Sequence, residues 1–215
     1  MKLDLSHKGI CSYFSDKDVN YSHELLLLPS NHNLSPKRLS DFSKGRYCAN
    51  LALEQLDIKD VIIPIGNNRE PIWPDGIVGS ISHCDILTGA IVGKSAEFIS
   101  MGLDIEEIGR VTPDLWDLIF TQKEKDFLIN LSDRELQEKS TAIFSIKEAY
   151  YKFQYPITKT YLDFLDVEVA LPDFRQINVL VDSINLSSIL SRYEVNYFLE
   201  KGCVISFIIG RPENQ

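Results

Sequence analysis

The stretch "SMGLDIEEIG", Ser100–Gly109, decides how this chain is read. At strand period, Met101, Leu103 and Ile105 share one face, and Gly102, Asp104 and Glu106 share the other. The first face is apolar and predicts a strand set against a core. The second places two carboxylates side by side, with Gly102 leaving room beside them. Acidic residues are poor strand formers and costly to bury unpaired. Like charges this close repel unless a proton or a cation sits between them. Hard divalent cations such as Mg²⁺ prefer oxygen ligands of this kind. An edge strand with a solvated acidic face explains the pair equally well. Glu107 falls on the apolar side of the alternation and is expected to turn out to solvent where the strand ends.

Working outward, "IVGSISH" (Ile77–His83) and "ILTGAIVG" (Ile86–Gly93) read as two further strands. Upstream, "LSPKRLSDFSKGRYCANLALEQL" predicts a helix, with Ser35 at the N-cap and Pro36 in the first turn. Its apolar residues are Leu39, Phe42, Tyr47, Leu51 and Leu53, and Gly45 weakens its middle. "VIIPIG" is a short strand candidate demoted by Pro64, and "NNREPIWPDG" is a loop. Downstream, Thr112 caps a turn beginning at Pro113. Thr121 with Glu124 and Ser132 with Glu135 match the capping-box spacing. The helix after Ser132 is expected to run to about Phe153 and to end at Pro156. "FLDVEVAL", "QINVLV", "YEVNYFLE" and "CVISFIIG" predict an antiparallel sheet. Helix and sheet in each half predict an α+β architecture of two similar-sized lobes, 1–108 and 109–215.

Of the 215 residues, 44% are hydrophobic and 25% charged, which suffices for a real core. The net charge of -9 argues against a general nucleic-acid binder, but leaves room for a local basic pocket holding a small anion. Near the start, the longest apolar run is Leu25–Leu28, too short to span a bilayer. "MKLDLSHKGICSYF" lacks the apolar stretch of a signal peptide, so a cytoplasmic protein without stable membrane insertion is expected. Cys11, Cys48, Cys84 and Cys203 form no CxxC pair, so free thiols are expected rather than zinc.

Four further segments carry chemistry. In "FSIKEAYYK", Ile143, Ile146, Tyr150 and Phe153 form an apolar helical stripe, and Ser145, Glu148 and Lys152 lie on a different face. Lys147 sits to the side, about 100° from Glu148. Read in isolation, Glu148 and Lys152 are a surface i,i+4 pair worth about 0.3–0.5 kcal/mol. "GSISHCD" offers Ser80, Ser82 and His83 among small residues that let a ligand approach the backbone. Arg46 lies midway along the first helix and Arg69 in a loop stiffened by Pro71 and Pro74. A planar guanidinium suits phosphate, although either arginine could also simply reach water.

The order of these segments is more specific than any one of them. A basic helix with an Arg, an R-E-P-x-W-P-x-G loop, G-S-I-S-H, a G-x-D-x-E strand and an F-S-x-K-E-x-x-x-K helix follow one another. This order resembles the 4′-phosphopantetheinyl transferases of the surfactin and enterobactin-synthetase component D type, the enterobactin branch most of all. The resemblance spans roughly Pro36 to Lys152; the N-terminal segment and C-terminal strands carry no matching motif. Leu103 stands where the family often has Val or Ile, and Phe144 where many members have Trp.

The resemblance implies two similar α/β lobes related by a pseudo-twofold axis, with an active site between them and a coenzyme A-binding N-terminal lobe. It implies an Mg²⁺-dependent enzyme that transfers the 4′-phosphopantetheine arm of coenzyme A to a serine of an apo acyl- or peptidyl-carrier protein, releasing adenosine 3′,5′-bisphosphate. Asp104, Glu106 and Glu148 match the family's metal-binding acids. Lys147 and Lys152 match its two phosphate-contacting lysines. Arg46, Arg69, Ser82 and His83 match its other coenzyme A contacts, with Arg38 carried over less directly. Glu148 is expected as the base for the carrier serine, directly or through water, with Asp104 and Lys152 completing the catalytic set; Glu106 could share the base's role. A monomer serving siderophore or nonribosomal-peptide synthesis is expected. A metal-dependent nucleotide-diphosphate hydrolase and a non-catalytic coenzyme A- or carrier-binding protein remain the competing readings.

Overall fold

The computed structural model describes residues 9–16, 35–66, 68–181 and 193–212. The chain divides into two compact units, Met1–Phe98 and Ile99–Gln215. Both combine helix with antiparallel sheet, as the α+β expectation required.

The first unit contains β1 (Cys11–Ser15), α1 (Pro36–Glu54), β2 (Ile77–His83) and β3 (Thr88–Lys94), with strand order β1-β3-β2. Five residues are too few to announce β1 by periodicity, and it emerges only from pairing Cys11 to Ser15 with Val92 to Thr88. Ser35 caps α1 by accepting the Arg38 N–H at 3.3 Å. The buried face of α1 is built mostly from small residues, with Leu53 the one expected bulky apolar residue that enters it. Cys48, Ala49, Ala52 and Leu53 pack on Ala90 and Val92, while Leu39, Phe42, Tyr47 and Leu51 stay half-buried. Small side chains let the helix approach the sheet, and Gly45 belongs to that face. A Cβ there would stand 2.9 Å from Ile81 Cγ2, so Gly45 serves close packing. "VIIPIG" forms no strand; a single bridge joins Ile65 to Pro71, because Pro64 brings no N–H to a ladder.

The second unit contains β4 (Ser100–Glu107), α2 (Trp116–Ile119), α3 (Gln122–Leu128), α4 (Asp133–Thr158), β5 (Val167–Val169), β6 (Ile177–Val179), β7 (Tyr193–Glu200) and β8 (Cys203–Gly210). β4 pairs with β8 along its whole length, from Ser100 opposite Gly210 to Glu107 opposite Cys203. The division between the units falls before β4, at Phe98, rather than after it at residue 108; among the described residues the ladder partner of β4 is β8. The four C-terminal strands also part company: β7 and β8 join β4, whereas β5 and β6 form a ladder of their own.

Both expected capping boxes form, with Glu124 accepting the Thr121 N–H at 2.9 Å and Glu135 that of Ser132 at 3.2 Å. Thr112 makes no side-chain cap bond. α4 runs through Pro156 and closes at Lys159, which is left-handed at φ 54°. Proline removes one backbone donor, and here the loss falls in the last turn, just beyond the buried Tyr150 and Phe153.

Among the described residues β4 lies at the edge of its sheet, yet residues 100–105 are buried, on both of its faces. α4 covers the face that carries Gly102. A Cβ on Gly102 would overlap the Ala149 carbonyl oxygen and lie 2.8 Å from Phe153 N. Ser100 Oγ donates to Phe153 O at 2.7 Å, and Gly109 N–H to Thr141 Oγ1 at 3.1 Å. The apolar stripe Ile143, Ile146, Tyr150 and Phe153 enters the core with Val204 and Ile208. Among the described residues, no helix is long and apolar enough to cross a membrane. None of the four cysteines forms a disulfide.

Gly102→Ala is expected to cost about 3 kcal/mol or more, because helix backbone rather than a flexible side chain meets the new methyl. Gly202→Ala, in open space at φ +76°, is expected to cost only about 1–2 kcal/mol. Urea denaturation of the two variants checks the ranking.

Candidate active site

The acidic face of β4 is not solvated, because α4 lies over it. Asp104 is 3% exposed. Its Oδ1 accepts from Lys152 Nζ at 2.7 Å, and Lys152 comes from α4. Glu106 is half-buried and 3.9 Å from the exposed Arg110. Burial, then Asp104, with a smaller push from Glu148, raises the Glu106 carboxyl from 4.5 to about 7, against Arg110 and Lys152. Glu148 is raised by burial; Lys152 opposes the shift and Asp104 adds to it. Asp104, Glu106, Glu148 and Lys152 thus form one electrostatic cluster on β4 and α4. Glu107 is half-buried at the strand's end.

Lys147 lies elsewhere. Its ammonium is 2.7 Å from Glu124 Oε2, with side chains 1% and 0% exposed. It also donates to Ile119 O and Phe164 O, each at 2.8 Å. Three partners use its three N–H bonds, so the expected phosphate contact has no donor left from Lys147. Burial lowers its basicity, and Glu124 opposes that shift. Glu124 in turn accepts the N–H groups of Thr121 and Val169, at 2.9 and 2.7 Å. The sequence presented Glu124 only as a cap residue. Its burial could not be read from the capping spacing, because its ionic partner lies on another helix.

Beside Glu148, a cavity of about 190 Å³ opens between α4 and the segment after it, walled by Tyr151, Tyr161, Leu162 and Phe164. No motif in the sequence had pointed to that segment.

In the first unit, Arg38, Arg46, Arg69 and His83 all line one cavity of about 360 Å³, with Asp41 and Phe42. Arg46 donates from Nε to Ile63 O at 2.8 Å and lies 4.3 Å over the Phe42 ring. Burial lowers its basicity to about 10, while two carbonyls use only part of its five-donor fork. Arg69 stands at φ 68°, a left-handed conformation that non-glycine residues seldom adopt. On β2, Ile81 and His83 share the cavity's face, and the buried Ser82 points to the other. The structure therefore gathers four of the five expected coenzyme A contacts of this unit and sets the Ser82 side chain apart.

The acid cluster offers hard oxygen donors whose mutual repulsion a divalent cation would relieve, so its donor chemistry fits Mg²⁺. Among the described residues, no three carboxylate, thiol or imidazole groups already stand close enough to hold an ion. The side chains would have to converge around it.

Comparisons with known proteins match both halves of the chain. The model of the 4′-phosphopantetheinyl transferase N-terminal domain covers residues 28–93, and that of the 4′-phosphopantetheinyl transferase superfamily covers 100–206. The 4′-phosphopantetheinyl transferase Svp of Streptomyces mobaraensis is 36% identical over 64% of this chain and 57% of its own. The chain thus spans a little over half of that relative's length. PptT of Mycobacterium tuberculosis, also a 4′-phosphopantetheinyl transferase, is 31% identical over 80% of this chain and 79% of its own. Enterobactin synthase component D of Salmonella typhi is 33% identical over 64% and 58%. Among solved structures, the holo-[acyl-carrier-protein] synthase of Thermotoga maritima aligns with 54% of this chain and 65% of its own, at 19% identity and a TM-score of 0.44. With PptT matched along four-fifths of the chain at this identity, the chain belongs to the 4′-phosphopantetheinyl transferase superfamily.

Proposed function

We propose that the chain transfers the 4′-phosphopantetheine group of coenzyme A to a serine hydroxyl of an apo acyl- or peptidyl-carrier protein, releasing adenosine 3′,5′-bisphosphate. The observation that carries this reading is the cluster of Asp104, Glu106 and Glu148 with Lys152, within the stretch that the superfamily model matches. Pure binding of coenzyme A needs no such group of acids.

The phosphates of coenzyme A are anions, and Arg38, Arg46, Arg69 and His83 supply converging donors for them. Asp104, Glu106 and Glu148 would hold Mg²⁺, which supplies neutralisation of the charge that develops on the pyrophosphate. The serine oxygen attacks the phosphorus bearing pantetheine. The bond from that phosphorus to the bridging oxygen breaks, and its electron pair leaves with adenosine 3′,5′-bisphosphate. The serine proton passes to Glu148, directly or through a water. Lys152 offers an ammonium to the departing phosphate. The apolar cavity beside Glu148 provides a wall for the pantetheine arm. The similarity to enterobactin synthase component D favours carriers of siderophore or peptide synthetases.

Incubation with coenzyme A, Mg²⁺ and a panel of apo acyl and peptidyl carriers is expected to add one phosphopantetheine to at least one carrier, read by intact mass. No adduct on any of them would overturn the assignment, and adenosine 3′,5′-bisphosphate released without a carrier would point to hydrolysis instead. Asp104→Ala and Glu148→Ala are each expected to lower kcat/KM by roughly 10²-fold or more while leaving the circular dichroism spectrum unchanged.

The raised Glu106 carboxyl gives a pH signature. Its folded pKa of about 7 lies above its unfolded value, so its contribution is fully present below 4.5 and is lost as pH rises through 7. A bound cation reverses that loss, and protons compete with the cation below pH 7. Mg²⁺ is therefore expected to raise Tm more at pH 8 than at pH 5.5, and Glu106→Gln to flatten the difference. Equal Mg²⁺ shifts at both pH values would contradict the cluster's role.

A further inference from the structure

We propose that Lys152 is a tethered counter-ion, seated in the acid cluster until a divalent cation and a pyrophosphate-bearing substrate displace it together. This rests on the metal and coenzyme A reading above and adds an order to it. The Lys152 ammonium stands 2.7 Å from Asp104 Oδ1, inside a cluster where Asp104 is 4% exposed by side chain and Lys152 29%. Its charge therefore enters from a partly open side and meets a carboxylate that water hardly reaches. The two residues cannot drift apart by backbone motion, because Gly102 brings β4 against the Ala149 carbonyl of α4, one turn of helix before Lys152. Relief has to come from the lysine side chain.

An ammonium at hydrogen-bond distance and a divalent cation at about 2.0–2.1 Å are alternative occupants of one carboxylate oxygen. Held together they would also repel, as like charges a few ångströms apart. No three acids among the described residues stand ready for an ion, so loading requires side chains to exchange partners, and Asp104 has to give up Lys152. A lysine ammonium is a compact, strongly hydrated charge on a flexible stem, suited to such a move. It leaves at least cost when another anion receives it. The pyrophosphate of the substrate is that anion, while the incoming cation takes over Asp104. Cation and substrate then favour the same displaced state of Lys152, and each raises the affinity of the other by the same factor. The cluster binds a cation weakly alone and firmly with substrate.

Calorimetric titration of Mg²⁺ into the full chain tests this, with and without saturating coenzyme A and with no carrier present. Wild type is compared with Lys152→Met and Lys152→Arg, and melting temperature checks each fold. Lys152→Met is expected to bind Mg²⁺ alone about tenfold or more tightly than wild type, and coenzyme A is expected to improve its Mg²⁺ affinity little. Lys152→Arg keeps the charge and is expected to retain weak binding alone and strong coupling. Lys152→Gln, polar but neutral, is expected to follow the methionine variant. Equal or weaker Mg²⁺ binding by both neutral variants, or undiminished coupling with coenzyme A, would overturn the exchange while leaving the metal reading intact. No Mg²⁺ binding by any of the proteins, with or without coenzyme A, would overturn both.

Discussion

The approach of α4 to β4 is the constraint on which the second unit depends. Gly102 has no side chain because the Ala149 carbonyl occupies that space. Ser100 and Gly109 pin the strand to the helix on either side, through Phe153 O and Thr141 Oγ1. With the backbones this close, Asp104 two residues along the same face has no route to solvent. It meets Lys152, a residue of the covering helix. The chemistry of the cluster follows from that proximity. Burial raises the carboxyls of Glu106 and Glu148 and sharpens the need for a positive partner.

The two lysines of the K-E-x-x-x-K helix show how burial separates residues that a motif groups together. Lys147 is enclosed, satisfied by Glu124 and two carbonyls, and joins α4 to the ends of α2 and α3 and to the turn at Phe164. A buried ion pair survives because all its donors and acceptors are met; removing either partner would leave a charge stranded. Lys152 remains partly open and faces the acids. Lys147 is thus closed in by its partners, whereas Lys152 keeps a partly exposed flank. In the first unit, Arg46 combines both conditions, its guanidinium held by Ile63 O and Phe42 while still lining a cavity with Arg38, Arg69 and His83.

Local signals in the chain were legible where one short-range rule governs. Ser35 before Pro36, Thr121 with Glu124, and Ser132 with Glu135 marked helix starts, since caps act within a single turn. The alternation in Ser100–Glu107 announced a strand and grouped Gly102, Asp104 and Glu106 on one face. Asp104, Glu106 and Glu148 were singled out because their types and order match the motifs of a family that the comparisons independently identify. Signals that depend on size or length misled. α1 buries mostly small residues and, of its expected bulky ones, only Leu53, and α4 continues through Pro156 because packing outweighs one lost backbone bond.

The sequence by itself determined where α1, α3 and α4 start, the alternation of β4, which family the order of motifs belongs to, and which carboxylates lie side by side. Those properties rest on contacts within a few residues or on linear order. Only the tertiary structure decided that β4 joins β8, that its acidic face is covered rather than wet, and that Lys147 and Lys152 part ways. Those outcomes depend on groups tens of residues apart, Glu124 for Lys147, Asp104 for Lys152 and Cys203–Gly210 for β4. A carboxylate on an alternating strand looks the same in sequence whether water or a helix lies beyond it; its burial is set by what packs there.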